Sequence, residues 1–247
     1  MTFLKATLAV ASITVLAGHV APSVDDNNRY LKLTPLRDGV RLAYTVFFGE
    51  IPGASERHAI DANHDGHIDD AEAKRFADKL GAEVAAAVDI DLDGTPQRVQ
   101  WQVVSPGMGT DAVAAGSFSV DLIAVLCMRP GPGKHTIKVR DQFRIPRPGE
   151  TELKVEDSPG VTIDRARVGP ADDPSHDFRF AGPGGPLSDD GLDLAFTSTA
   201  NAPAVGKCPA AAPAAAPPPT LWLLIIGGVV VAGGAVLAIL RLRRRAS

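Results

Sequence analysis

Hydrophobic and polar positions change rhythm along this chain, and each rhythm predicts a different kind of structure. Both ends carry unbroken apolar runs, Ala6 to Ala17 and Leu221 to Leu240. Between them apolar residues mostly alternate with polar ones, the period of a strand with one buried face. That period predicts a first hairpin from Arg29 to Thr34 and Val40 to Phe48, turning at Asp38-Gly39. Val88, Ile90 and Leu92 alternate with Asp89, Asp91 and Asp93, and Asp93-Gly94 is a turn signal. The reading sends Arg98 to Val104 back along that strand, with Val99, Trp101 and Val103 on one face. Further strands are expected at Phe118 to Cys127, His135 to Val139, Glu152 to Glu156, Val161 to Arg165, Asp177 to Phe180 and Leu192 to Thr197. Gly- and Pro-rich turns separate them. One stretch breaks the alternation. Ala54 to Ile60 reads as a short helix. Asp69 or Asp70 to about Val84 reads as a longer one, with Ala71, Phe76, Leu80 and Val84 on one face and Gly81 weakening its last turn. The expected fold is mainly β: a β-sandwich-like ectodomain over residues 24–200, a helix-loop-helix inserted at 53–85, and one C-terminal transmembrane helix.

The apolar ends set the expected topology. Lys5 followed by a short uncharged run and small residues reads as a secretory signal peptide over residues 1–21, with cleavage signals near Ala17 and Ala21. The run falls short of the roughly 20 residues that span a bilayer. Leu221 to Leu240 has that length, Trp222 suits the interface, and Arg241, Arg243, Arg244 and Arg245 follow at once. Residues 220–240 are therefore the expected membrane span, and 241–247 a basic cytoplasmic tail. The ectodomain then lies outside the cytoplasm, in a bacterial periplasm or at the cell surface. Ala- and Pro-rich residues 201–219 form a semi-rigid spacer.

Charge narrows the function classes. The chain has 25 basic and 29 acidic residues and a net charge of −4. Lys5 and the terminal arginines lie outside the ectodomain, which is left at about −9. Such a domain repels nucleic acid and suits a divalent cation. Export permits a disulfide between Cys127 and Cys208, although a buried thiol and a membrane-proximal thiol also fit those positions.

The most specific signal is DANHDGHIDDAE, from Asp61 to Glu72. Ca2+ takes six to eight oxygen ligands, which a 12-residue loop supplies from alternating positions. Asp61, Asn63 and Asp65 stand at positions 1, 3 and 5, and Gly66 at position 6 allows the sharp turn. His67 at position 7 offers its carbonyl, Ile68 at 8 is the apolar anchor, Asp69 at 9 acts directly or through water, and Glu72 at 12 can give both carboxylate oxygens. The segment resembles the EF-hand family at these positions. The half-match Asp89 to Gly94 is set aside, because Pro96 falls where the anchor belongs and Gln100 where the closing Glu belongs. A single extracellular loop of this kind implies a weak site, with a dissociation constant of about 10⁻⁴ to 10⁻³ M.

Other chemistry is sparse. His58, His64 and His67 would suit nickel, zinc or copper, and His19 could join an exposed amine after cleavage. No Gly-x-Ser-x-Gly, His-Glu-x-x-His or phosphate-loop motif occurs. Asp172-Asp173 and Asp189-Asp190 read as solvated turns. Phe47 to Gly53 (FFGEIPG), leading into the acidic loop and then a strand-rich region, resembles exported domains associated with bacterial nickel/cobalt permeases. That resemblance spans roughly Arg29 to Phe196 and implies an accessory role in metal handling, although one span replaces the many helices of a permease. The Pro-rich stretch, apolar run and terminal arginines also resemble bacterial sorting tails that are cut after export. The expectation is a non-enzymatic, calcium-binding exported protein anchored by one helix, with a structural role or an unidentified protein partner. Nickel/cobalt handling and a cleaved, sorted surface protein are its alternatives.

Overall fold

The computed structural model describes residues 25–128, 131–182 and 185–206. The expected signal peptide, His19, most of the spacer, Cys208, the apolar run Leu221 to Leu240 and the basic tail lie outside the described residues. Among the described residues no helix is long and apolar enough to cross a membrane.

The body is mainly β. The first sheet contains β1 (Asn27–Pro35), β2 (Gly39–Phe48), β5 (Trp101–Gly107), β6 (Phe118–Cys127), β8 (Pro148–Val155) and β11 (Asp177–Ala181), in the order β11-β8-β1-β2-β6-β5. The second contains β3 (Val88–Leu92), β4 (Thr95–Gln97), β7 (Gly133–Asp141), β9 (Val161–Val168), β10 (Ala171–Asp172) and β12 (Leu192–Ser198), in the order β10-β9-β12-β7-β3-β4. Both contribute to one hydrophobic core, which includes Leu33, Leu42 and Leu122 from the first sheet and Ile137, Leu194 and Phe196 from the second. Burial alternates strictly along β6 and β12, as the period-2 pattern requires. Only the β1–β8 pairing is parallel among the described ladders. A short helix, α3 (Gly185–Asp189), precedes β12.

The hairpin after β3 corrects one expectation. Asp93 and Gly94 both have positive φ, 52° and 77°, as a tight primed turn needs. They hand pairing directly to Thr95–Gln97, with Leu92 opposite Thr95. Residues 98–100 are outside any strand. Trp101–Gly107 crosses to the first sheet and pairs with β6, and its register shifts between Trp101 and Val103. That irregularity undoes the expected shared face: Val99 is buried, whereas Val103 is 43% exposed. Trp101 is drawn across by its indole N–H, which donates to the Gly81 carbonyl at 2.7 Å, and by an edge contact with Tyr44.

The helical insertion lies between β2 and β3. Helix α1 (Glu50–Ile60) starts earlier than expected, because Pro52 falls in the first turn, where no intrahelical N–H is required. Helix α2 (Asp70–Ala87) runs past Gly81. Gly81 is a packing position: a Cβ there would lie 3.3 Å from Leu122 Cδ2 and 3.4 Å from the Trp101 ring. Gly81→Val should therefore destabilise the protein by about 1–3 kcal/mol through overpacking, read as a lower urea midpoint. Phe76 completes the docking through edge contacts with Phe48 and Phe118, which stack on each other at 4.5 Å.

A buried ion pair joins the sheets. Arg29 of β1 and Asp141 at the end of β7 meet at 3.0 Å, both almost inaccessible. Arg29 also donates to Thr151 Oγ1 and the Phe143 carbonyl, and Tyr44 Oη donates to Asp141 Oδ2. Burial first, then the neighbouring Asp141 charge, pushes the Tyr44 hydroxyl well above its ordinary pKa.

The body continues past Ala200. Ala202 is buried, Arg37 N–H donates to the Pro203 carbonyl, and Val205 N–H donates to Asp38 Oδ1. This segment passes beside Gly39, where a Cβ would meet Val205 Cγ1 at 2.6 Å and the Leu126 carbonyl at 2.5 Å, so only glycine fits. Cys127 is disulfide-bonded.

Candidate metal centre

Residues 61–69 connect α1 to α2, and the helix ends shape the connection. Asp61 is the C-cap of α1. Asp69 is the N-cap of α2 and forms a capping box with Glu72: Glu72 N–H donates to Asp69 Oδ1 at 2.7 Å, and Asp69 N–H donates to Glu72 Oε2 at 3.1 Å. Asp70 and Glu72 in the first turn also suit the positive end of the helix dipole. His64 and Gly66 take positive φ, 59° and 83°, so the chain reverses inside the connection.

That reversal turns backbone N–H groups toward the acidic side chains. Asp65 N–H donates to Asp61 Oδ1 at 3.2 Å, and Gly66 N–H to Asp61 Oδ2 at 3.0 Å. Asn63 Oδ1 accepts from Asp65 N–H, and Asp65 Oδ1 accepts from His67 N–H, both at 2.9 Å. Asn63 Nδ2 donates to Asp65 Oδ2, and Ala62 N–H to Glu72 Oε1 at 3.0 Å. Thus Asp61, Asn63, Asp65 and Glu72 are folded back over one short stretch of backbone. Asp61 and Glu72 are 5% and 3% exposed, and Asn63 and Asp65 are exposed.

The oxygens available here, from carboxylates, an amide and the His67 carbonyl, are of the kind a hard cation takes. Backbone N–H groups hydrogen-bond both buried carboxylates, and a positive partner would offset their charge further. Glu72 faces only Arg75, at 4.0 Å, and among the described residues Asp61 has no ion pair. A divalent cation would neutralise this charge. As placed, no three His, Cys, Asp or Glu side chains among the described residues form a closed ion cluster. The hydrogen bonds above occupy one direction at several of these oxygens, and each carboxylate oxygen has a second lone pair.

The histidines are not gathered. His58 and His64 are exposed, and His67 Nδ1 pairs with Asp111 Oδ2 at 3.0 Å. The His67 hydrogen bond lowers the Asp111 carboxyl below its ordinary range. Asp172, Asp189 and Asp190 are exposed, and Asp173 caps its own turn at Ser175.

Sequence reading missed the partner of the loop. Residues 66–68 pair with a segment that precedes β6. Ile68 N–H donates to the Asp111 carbonyl at 2.8 Å, Val113 N–H donates to the Gly66 carbonyl at 3.1 Å, and His67 and Ala112 form a bridge. The anchor side chains Ile68 and Val113 are both buried. Arg57 of α1 was also missed, and it is fully buried. Its signal was its place on the buried face with Gly53 and Ile60, at helical spacing.

No known family model matches this chain, and no curated protein matches it at a significant level.

Proposed function

We propose that the 61–72 loop binds one Ca2+ ion and that the protein is a non-enzymatic, exported, membrane-anchored calcium-binding protein. The observation that carries this reading is a pair of buried carboxylates, Asp61 and Glu72, on one loop, with no ion-pair partner to either among the described residues except Arg75 at 4.0 Å from Glu72. Asp61, Asn63, Asp65 and Glu72 would supply side-chain oxygens, His67 its carbonyl, and Asp69 a further oxygen, directly or through water. Bound calcium would supply the missing positive charge and cross-link the end of α1 to the start of α2. The role is then structural: occupancy stiffens the helical insertion on the sheet it docks against. Export and anchoring are supported by the N-terminal apolar run and by the span-and-arginine pattern at the C-terminus.

Calorimetric titration of the full-length protein with CaCl2 tests the reading. Binding of one ion with a dissociation constant of about 10⁻⁴ to 10⁻³ M is expected. No saturable heat up to about 10 mM would sink it.

A further inference from the structure

We propose that the ion site extends beyond the loop, and that Arg57 is its positioning residue, acting through segment 108–116. The proposal rests on the calcium reading above and deepens it.

Arg57 lies one turn before the loop, on the buried face of α1, with no exposed surface. Buried arginines are ordinarily met by a carboxylate. Among the described residues Arg57 has no ion pair. Its guanidinium is spent on backbone instead. Nε donates to the Gly116 carbonyl at 3.1 Å, and Nη1 to the Thr110 and Ala112 carbonyls at 3.0 and 3.1 Å. Nη2 donates to the Met108 carbonyl. The cation also sits over the Phe118 ring, 5.4 Å from its centroid. One planar fork thus gathers four carbonyls of a nine-residue segment that has no helix and forms no ladder with a neighbouring strand beyond the end of β5. Lysine, a single ammonium on a flexible stem, cannot reproduce that geometry.

The gathered segment is the one that pairs with residues 66–68. Met108, Thr110 and Ala112 flank the backbone groups that hold Gly66 and Ile68. Between those two lies His67, whose carbonyl would be the main-chain ligand of the loop. The chain therefore closes a circuit: α1 enters the loop, the loop pairs with 110–113, and 108–116 is tied back to α1 by Arg57. Gly116 also packs directly on α1, since a Cβ there would meet Glu50 Cγ at 2.4 Å. Order in segment 108–116 and order in the second half of the loop are one property. Such coupling is reciprocal: a segment that shapes the site must be stiffened when the site fills.

The test uses the full-length protein and has two arms. Hydrogen exchange across residues 105–118 of the unaltered protein is measured with and without saturating CaCl2, and calorimetric affinity is compared for Arg57→Lys and for Gly81→Val. The Gly81 change lowers stability away from this circuit, so it controls for simple loosening of the fold. Calcium should slow exchange in 108–116. Arg57→Lys should bind roughly 5- to 50-fold more weakly, while Gly81→Val keeps the parent affinity. If calcium binds but exchange in 108–116 is unchanged, or if Arg57→Lys keeps the parent affinity, the coupling is wrong and the calcium reading stands. If Arg57→Lys does not fold, the exchange arm decides alone. If the unaltered protein binds no calcium, the calcium reading itself fails, and the coupling fails with it.

Discussion

Glu72→Gln is expected to abolish calcium-dependent stabilisation while leaving the calcium-free fold intact. Glutamine can still accept from the Ala62 or Asp69 N–H and still satisfies a capping box, so the start of α2 survives. What is lost is one negative charge and a second strong oxygen donor, at a side chain only 3% exposed. With a dissociation constant of about 0.1 mM, calcium at about 10 mM stabilises the parent by roughly 2.7 kcal/mol. For a domain of this size that is a rise in Tm of about 5–10 °C. The variant should show almost none of that rise. Its calcium-free form should be as stable as the parent or slightly more so, because a buried carboxylate without a close counterion has been neutralised. A thermal melt of both proteins in EDTA and in CaCl2 reads the crossing. A variant that rises with calcium as much as the parent would show that Glu72 is not a ligand.

Asp141→Asn should cause the largest loss of stability from a single isosteric change. Asp141 is the only carboxylate paired with Arg29 among the described residues, and neither side chain has appreciable access to water. The carboxylate also accepts from Tyr44 Oη at 2.9 Å and from Phe143 N–H at 2.9 Å. Asparagine keeps the shape but leaves the guanidinium charge buried, and it turns an amide N–H2 toward groups that are themselves donors. Breaking such a pair costs about 3–5 kcal/mol, a large share of the roughly 5–15 kcal/mol that holds an ordinary domain folded. Tyr44→Phe removes one hydrogen bond to the same carboxylate and should cost less, about 1.5–3 kcal/mol. Arg29→Met combined with Asp141→Leu should recover most of the loss, because no charge is then stranded. Urea unfolding of the singles and the double separates these cases. A loss under about 1 kcal/mol for Asp141→Asn would mean that the pair is solvated.

The acidic loop illustrates what a sequence can disclose. Asp61, Asn63, Asp65, Gly66 and Glu72 lie within one short stretch, so their spacing alone states which oxygens can face one centre. The strands were legible for a related reason. Alternation along Val40 to Phe48 and Phe118 to Cys127 reflects one buried and one wet face, a property local to each segment. Where local signals competed, tertiary contacts decided. Gly81 reads as a weak point in the last turn of its helix, yet α2 runs past it and Gly81 makes room for Trp101.

What surrounds the loop was not legible. Segment 108–116 has no period, and nothing in its sequence connects it to residues 66–68, more than 40 positions earlier. Trp101 likewise left the strand its neighbours prescribed, because Gly81 and Tyr44 were better partners than β3. By itself the sequence determined which oxygen-bearing residues lie close together in the acidic loop, the strand and helix periods and the polarity of the two ends, since each depends on residues close together in the chain. Only the tertiary structure decided which sheet each strand joins, that Arg29 and Asp141 meet between the sheets, that Arg57 ties 108–116 to α1, and that 111–113 pairs with the loop. Those outcomes depend on which distant groups can satisfy a buried charge or an unpaired carbonyl, and that is settled by packing.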